Sequence, residues 1–395
     1  TRWGRFRPWI FSGTLLNALV LYALFAAPVL DEAALMVYFS VVYILWGVTY
    51  TMMDIPFWSM IPAFTEAGKE REGLSAFARS CAGVGSALVS IVTVMSVAAL
   101  GKAFGGTTDN EINRIGYSKF ALIIAVLFVI FILITCLCIK EKSTVDMKNA
   151  SIGEMFRALI QNDQAMTVVV AIVMINTALY ITQQLVYFFL KYDFSPSTYQ
   201  GDFTLFNMVG GGCQILAMMI LFPVLRRFMD TIKIFYTCFG MAVTGYILII
   251  IISATGTSSV GCLFIPAAFI MSAVGVLNVI ITVFLANTVD YGEFKNSRRD
   301  ESVIFSMQTF VVKLASGIAG FISSMVLFVF HISSNKEAVV TEPIAASSRM
   351  GLRLSMTIIP IVVLVIGFIV FKKRYILTDR KLAEISKELE KKHQN

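Results

Sequence analysis

Residues 50–58 read YTMMDIPFW and lie in a run that is hydrophobic from about Ala33 to Phe64. An aspartate, Asp54, stands in that run with no basic residue for several positions on either side. At ~1.5 Å per residue a helix of this length outreaches the ~30 Å hydrocarbon core of a bilayer. The stretch therefore reads as a membrane-crossing helix, and Asp54 as an ionisable group placed inside the membrane.

The rest of the chain agrees. Of its 395 residues 57% are hydrophobic and only 14% charged, where soluble domains carry roughly a quarter charged residues. Ten apolar stretches are long enough to cross a membrane: 9–30, 33–64, 76–100, 117–139, 165–191, 203–225, 234–254, 261–288, 303–331 and 352–371. None alternates polar and apolar residues as a barrel strand must. The reading is an all-α polytopic membrane protein.

Basic residues set the orientation. Of the 32 Lys and Arg residues, 23 fall on the side that holds residues 1–8, 65–75, 140–164, 226–233, 289–302 and the tail from Lys372, against seven at or near the other side. The bias predicts a plasma (inner) membrane protein with both ends in the cytoplasm. The net charge of +7 then reflects topology, and nucleic-acid binding explains it poorly. The six cysteines lack metal-type spacing, and the two histidines are too few for a metal site or a triad. With no nucleophile–base pair and no cofactor loop, the pattern predicts no catalytic residue, no metal site and no cofactor.

Segment 140–164 is the longest polar interruption and divides the spans four against six. Inside it Ile152, Met155, Phe156 and Leu159 recur at helical spacing, which predicts a short amphipathic helix. The domains expected are a first bundle over 1–139, a central cytoplasmic loop over 140–164, a second bundle over 165–371 and a cytoplasmic tail over 372–395. From Asp379 as N-cap, the tail reads as a charged helix. Transporters of this size are commonly two halves of equal helix count. The imbalance, and an opening on Thr into TRWGRFRPW, lead us to expect that two preceding helices are missing and that residues 1–395 alone transport little or nothing.

A charge at the centre of a membrane helix costs ~2.5–3.5 kcal/mol on insertion scales, so such residues are functional candidates. Asp54 shares a helix face with Tyr50 and Trp58, four residues away on either side, and with Thr51. A carboxylate accepts hydrogen bonds from adjacent sugar hydroxyls, and an indole can lie against the apolar face of a pyranose. The alternative is that Asp54 only pairs with Arg79, and that Trp58 belongs to an interfacial aromatic belt. Arg79 continues through Gly83, Ser86 and Ser90 on one face; it either serves a ligand or snorkels to the surface. Lys313 lies about ten residues into its span, beside Ser306, Thr309, Ser316 and Gly317, where its ammonium can neutralise a carboxylate or stand in for a cation. Asn176, Gln183, Gln184, Asn207, Gln214, Asn278 and Thr282 either line the same cavity or join helices. The triple glycine at 210–212 suits close packing or helix flexibility better than phosphate binding.

Four blocks, YILWGVTYTMMDIPFWSMIP (43–62), TRWGRFRPWI (1–10), NTVDYGEFK (287–295) and ESVIFSMQTFVVK (301–313), resemble the glycoside–pentoside–hexuronide:cation symporters. The resemblance runs along the whole chain. It implies the major-facilitator fold of two six-helix bundles, with ten of the twelve transmembrane helices present here. It assigns Asp54 as the sugar-binding carboxylate, Trp58 as the stacking tryptophan, Tyr50 and Arg79 to the sugar, and Thr51 to the cation site. Lys313 becomes the link between the two sites, with Gln308 and Thr309 beside it. The family's main cation carboxylates fall on the two absent helices. Where the family usually has a tryptophan this chain has Asn278, which changes one wall of the pocket from aromatic to polar.

The function expected is import of a glycoside with Na⁺, H⁺ or Li⁺ by alternating access. The rival is a membrane sensor or scaffold that binds sugar without moving it. Charges in the cytoplasmic blocks TRWGRFR (1–7) and DYGEFKNSRRDE (290–301), among them Arg5, Asp290, Glu293 and Arg298, are expected to close the inner side. Expected partners are a small sugar, the lipid bilayer and a cytoplasmic regulatory protein.

Overall fold

The computed structural model describes residues 4, 6–26, 28, 30–65, 69–139, 160–256, 259–296, 301–333 and 344–394. Ten long helices follow in order: α1 (Arg7–Ala26), α2 (Glu32–Phe64), α3 (Lys69–Ala103), α4 (Asp109–Cys138), α5 (Asp163–Phe194), α6 (Tyr199–Phe228), α7 (Thr231–Ala254), α8 (Gly261–Asn296), α9 (Glu301–Val329) and α10 (Ala346–Arg374). An amphipathic tail helix, α11 (Asp379–Gln394), completes them. Each of the ten apolar stretches overlaps one of the ten helices over most of its length, and no strand occurs among the described residues. Nine helices among the described residues are long and apolar enough to cross a membrane, and α3 carries the remaining stretch, 76–100. The chain is a multi-pass membrane protein. The amphipathic helix expected over 152–159 lies outside the described residues.

Local sequence chemistry explains the helix ends. Gly105, at φ 92°, takes the left-handed conformation that closes α3. Thr108 and Glu111 then form a reciprocal capping box that opens α4, the Thr108 hydroxyl accepting from the Glu111 amide at 3.4 Å. The tail differs from expectation. The Thr378 hydroxyl, not Asp379, accepts the Lys381 amide at 3.3 Å. Asp379 sits in the first turn, and its carboxylate pairs instead with Arg226 at 2.7 Å. Helices α5 and α6 each contain a π-turn, at Leu190–Phe194 and Ala217–Leu221.

Two compact units are present: Thr1–Glu66 with Val84–Lys148, and Ala67–Gly83 with Asn149–Asn395. Helix α3 is thus divided, its first turns grouping with the carboxy-terminal helices. Lipid tails are as apolar as leucine, so close fit and hydrogen bonds hold membrane helices together. In the first unit α1 packs on α2 and α4. Gly13 permits this, since a Cβ there would lie 2.9 Å from the Met53 amide nitrogen. One turn on, the Asn17 amide donates to the Trp46 carbonyl at 3.1 Å and to the Thr49 hydroxyl at 2.9 Å. Phe6, Ile10, Met53, Met60, Ile132 and Cys136 form the core beside these contacts.

In the second unit α8 is the central element, packed against α5, α6, α7 and α9 and buried along most of its length. Gly275 brings it against α6, where a Cβ would meet the Gln214 carbonyl oxygen at 2.5 Å. Gly210 does the same against Met271, so close packing accounts for one glycine of the triple; Gly211 and Gly212 face open space. Rings of Phe235, Phe284, Phe371 and Tyr375 cluster with centroids 4.2–5.5 Å apart, locking α7, α8 and the end of α10.

Candidate functional site

In the first unit the helical repeat of α2 brings three of the predicted residues together. Asp54 is half-buried, and its Oδ1 accepts from the Trp58 indole at 3.0 Å and from the Tyr50 hydroxyl at 3.2 Å. A carboxylate carries about four acceptor sites, and these two bonds take up two of them. The Trp58 N–H is engaged at the ring edge, which fixes the orientation of the indole. Above Tyr50 the same helix stacks Trp46, Tyr43 and Phe39 in a column, with successive centroids 5.7, 5.8 and 5.7 Å apart. Thr51 behaves differently: its hydroxyl bends back to the Gly47 and Val48 carbonyls at 3.1 and 2.8 Å.

In the second unit the start of α3 runs antiparallel to α8 and carries two polar rungs. At one, the Arg79 Nε donates to the Thr282 hydroxyl at 2.8 Å. Thr282 in turn donates to the Asn278 carbonyl at 3.0 Å, so Arg79 is held on the half-buried Asn278 face. At the other rung Arg71, only 1% exposed, pairs with Asp290 at 2.6 Å and donates to Asn287 at 3.3 Å. Both rungs join residues eight apart on each helix, the signature of a constant antiparallel register. Asp54 belongs to the first unit and Arg79 to the second.

The remaining predicted residues distribute as follows. Lys313 is exposed at the middle of α9, on a face with the half-buried Ser306 and Thr309 and the exposed Ser316 and Gly317. Glu293 is buried near the end of α8, and Arg5 and Arg298 lie outside the described residues. Asn176 and Asn207 turn their side-chain amides back to carbonyls of their own helices, at 2.9 and 2.8 Å. Among the described residues no His, Cys, Asp or Glu cluster is arranged to hold a metal.

The model of the MFS/sugar transport proteins matches residues 1–379. The chain belongs to that family. Over 398 residues it is 26% identical to the lactose permease of Lactobacillus delbrueckii subsp. bulgaricus, covering 99% of this chain and 61% of the permease. It is equally 26% identical, over 396 residues, to the raffinose carrier protein of Pediococcus pentosaceus, covering 98% and 59%. The chain thus spans about three-fifths of the length of these curated relatives. The major facilitator superfamily transporter FucP of E. coli, solved in its outward conformation, superposes with a TM-score of 0.66 at 13% identity, covering 94% of this chain and 84% of FucP. That likeness shows the fold, and membership of a sugar transport family agrees with the absence of any expected enzyme chemistry.

Within this family member, sequence reasoning missed three charged groupings. Arg226, at the end of α6, binds Glu72 in a fork at 2.5 and 2.9 Å and also Asp379 of the tail. Beside them burial, then the Asp379 carboxylate, pushes the Tyr375 phenol well above its ordinary range, so it stays protonated. Asp163, at the start of α5, is tied to Lys295 at 2.5 Å and to the Tyr291 hydroxyl at 3.2 Å. At the opposite end of the unit, Arg353 grips the fully buried Asp193 carboxylate with two nitrogens and donates to the Ser253 carbonyl at 2.7 Å. Lys191 is fully buried one step away, its ammonium 5.2 Å from the Tyr192 ring centre. Its position at the edge of an apolar run was the only sequence signal.

Proposed function

We propose that this protein carries a glycoside or related sugar across a bacterial plasma membrane together with Na⁺, H⁺ or Li⁺, by alternating access. The observation that carries the reading is the Asp54 group. An ionisable side chain within a membrane-spanning helix is costly. Here it is oriented by an indole and a phenol on its own helix face, and an ionised carboxylate is an acceptor for sugar hydroxyls. The relatives that bear the names lactose permease and raffinose carrier protein support a saccharide. On this reading Arg79 and the Asn278 face supply further polar contacts to the sugar. Lys313 answers to the coupling cation, and Thr51 offers that cation its oxygen lone pairs, its proton being spent on the helix.

The ends rich in Lys and Arg face the cytoplasm. There Arg71–Asp290, with Glu293, Arg5 and Arg298, holds the inner side shut in one state of the cycle, and the tail region presents a surface to a cytoplasmic regulatory protein. Sugar and cation each stabilise the state that binds the other, and this reciprocal coupling drives uptake.

The test is uptake of a labelled glycoside panel into vesicles, with and without a sodium gradient, alongside equilibrium sugar binding. Asp54→Asn keeps the shape and removes the charge; it should abolish both binding and uptake. Normal uptake by that variant would remove the site assignment.

A further inference from the structure

Between the first turns of α3 and the last turns of α6 lies a cleft of about 600 Å³ that the carbohydrate chemistry does not use. Both walls belong to the same compact unit. Its character changes along its length. Lys69, the first residue of α3, and Arg226 and Arg227, near the end of α6, stand at one end. One to two turns deeper along the same two helices, the lining becomes Ala76, Phe77, Met218, Met219 and Phe222. At ~1.5 Å per residue, charge gives way to hydrocarbon over roughly 10 Å.

The charges at the mouth are not equivalent. Arg226 is committed to two carboxylates, Glu72 and Asp379, which together outweigh its single positive charge. Lys69 and Arg227 are both exposed, and neither pairs with a carboxylate among the described residues. Among the described residues Lys69 and Arg227 thus outweigh the excess carboxylate of the Arg226 group and leave the mouth net positive above an apolar wall. Two residues of that wall are bare, Phe77 at 67% and Met219 at 52% exposed, over a buried floor of Ala76, Met218 and Phe222. No soluble sugar suits such walls, because the one carboxylate lining them, Glu72, is already held by Arg226.

We propose that this cleft is a binding site for one anionic glycerophospholipid, its phosphate between Lys69 and Arg227 and its acyl chains along Phe77, Met219 and Phe222. The occupant follows from charge complementarity and from the position of the mouth, where two membrane-crossing helices end on the side richest in Lys and Arg. Basic pockets between helices on that side are suited to anionic head groups. A bound lipid would cover the bare wall and join the start of α3 to the end of α6.

Native mass spectrometry of the purified protein in detergent, titrated with phosphatidylglycerol or phosphatidylcholine, tests this. One adduct of phosphatidylglycerol should persist where phosphatidylcholine does not. Each Lys or Arg near an anionic head group is worth about fivefold in affinity. The double variant Lys69→Gln/Arg227→Gln should therefore bind phosphatidylglycerol roughly thirtyfold more weakly. Both side chains are exposed, so the variant should fold. Phe77→Asn, which leaves every charge in place, should also weaken the adduct. Unchanged phosphatidylglycerol binding in the double variant would overturn the proposal, as would equal retention of phosphatidylcholine. Displacement of the lipid by glycerol phosphate at matching concentration would make the site one for a soluble anion and would overturn it too.

Discussion

Replacing Arg71 by Gln removes one member of an ion pair that water barely reaches. The two side chains are 2% and 11% exposed and the N–O separation is 2.6 Å. Deleting one partner of a buried pair strands the other and costs ~3–5 kcal/mol. The lost bond to Asn287, 3.3 Å long, adds ~1 kcal/mol at most. At about 2 °C of melting temperature per kcal/mol for a chain of this size, Arg71→Gln should unfold ~6–12 °C below the parent. Asp290→Asn should do the same, because it removes the counter-charge of a buried guanidinium. The double variant presents two neutral amides that can bond each other, so it should lie within ~2 kcal/mol of the parent. The expected coupling is therefore ~3 kcal/mol or more in the double-mutant cycle. Unfolding can be followed in detergent by a maleimide dye reacting with the buried thiols of Cys136 and Cys238. A double variant that loses the sum of the two single losses would show that the ions do not stabilise each other and would refute the reasoning.

Two further outcomes are expected. Gly116→Val should weaken the α3–α4 hairpin by ~1–3 kcal/mol, since a Cβ at Gly116 would lie 2.1 Å from the Val97 carbonyl oxygen; an unchanged melting temperature would mean the two helices separate freely there. Arg226→Gln should release the tail helix, whose link to α6 through Asp379 is 2.7 Å, and limited trypsin digestion should then cut at Arg380 and Lys381 at least several-fold faster, with Asp379→Asn giving the same acceleration.

What the sequence revealed and what it hid divide along sequence distance. The Asp54 face was legible because residues four apart on a helix must be neighbours, so Tyr50 and Trp58 had to flank the carboxylate. The ten spans were legible because the hydrocarbon core fixes the length of an apolar helix. The Arg226 hub was not, since Glu72 and Asp379 lie 154 and 153 residues away along the chain and no local periodicity encodes such meetings. The tail start shows the same limit. Thr378 and Asp379 are both good caps, and the tie is broken by a distant guanidinium that claims Asp379. Lys191 stands at the edge of an apolar run, yet its side chain and that of Asp193 are fully buried, both within the π-turn that ends α5.

The paired rungs of α3 and α8 restrict how these two helices can travel past each other. A slip of one turn, ~5.4 Å, one way would set Arg79 level with Asn278 but leave Arg71 level with Ala286. The same slip the other way would set Arg79 level with Ala286 and Arg71 level with Phe294. Either ratchet step parts Arg71 from Asp290 and sets it level with a side chain that accepts no hydrogen bond. A one-turn slide of α3 along α8 therefore costs the buried ion pair.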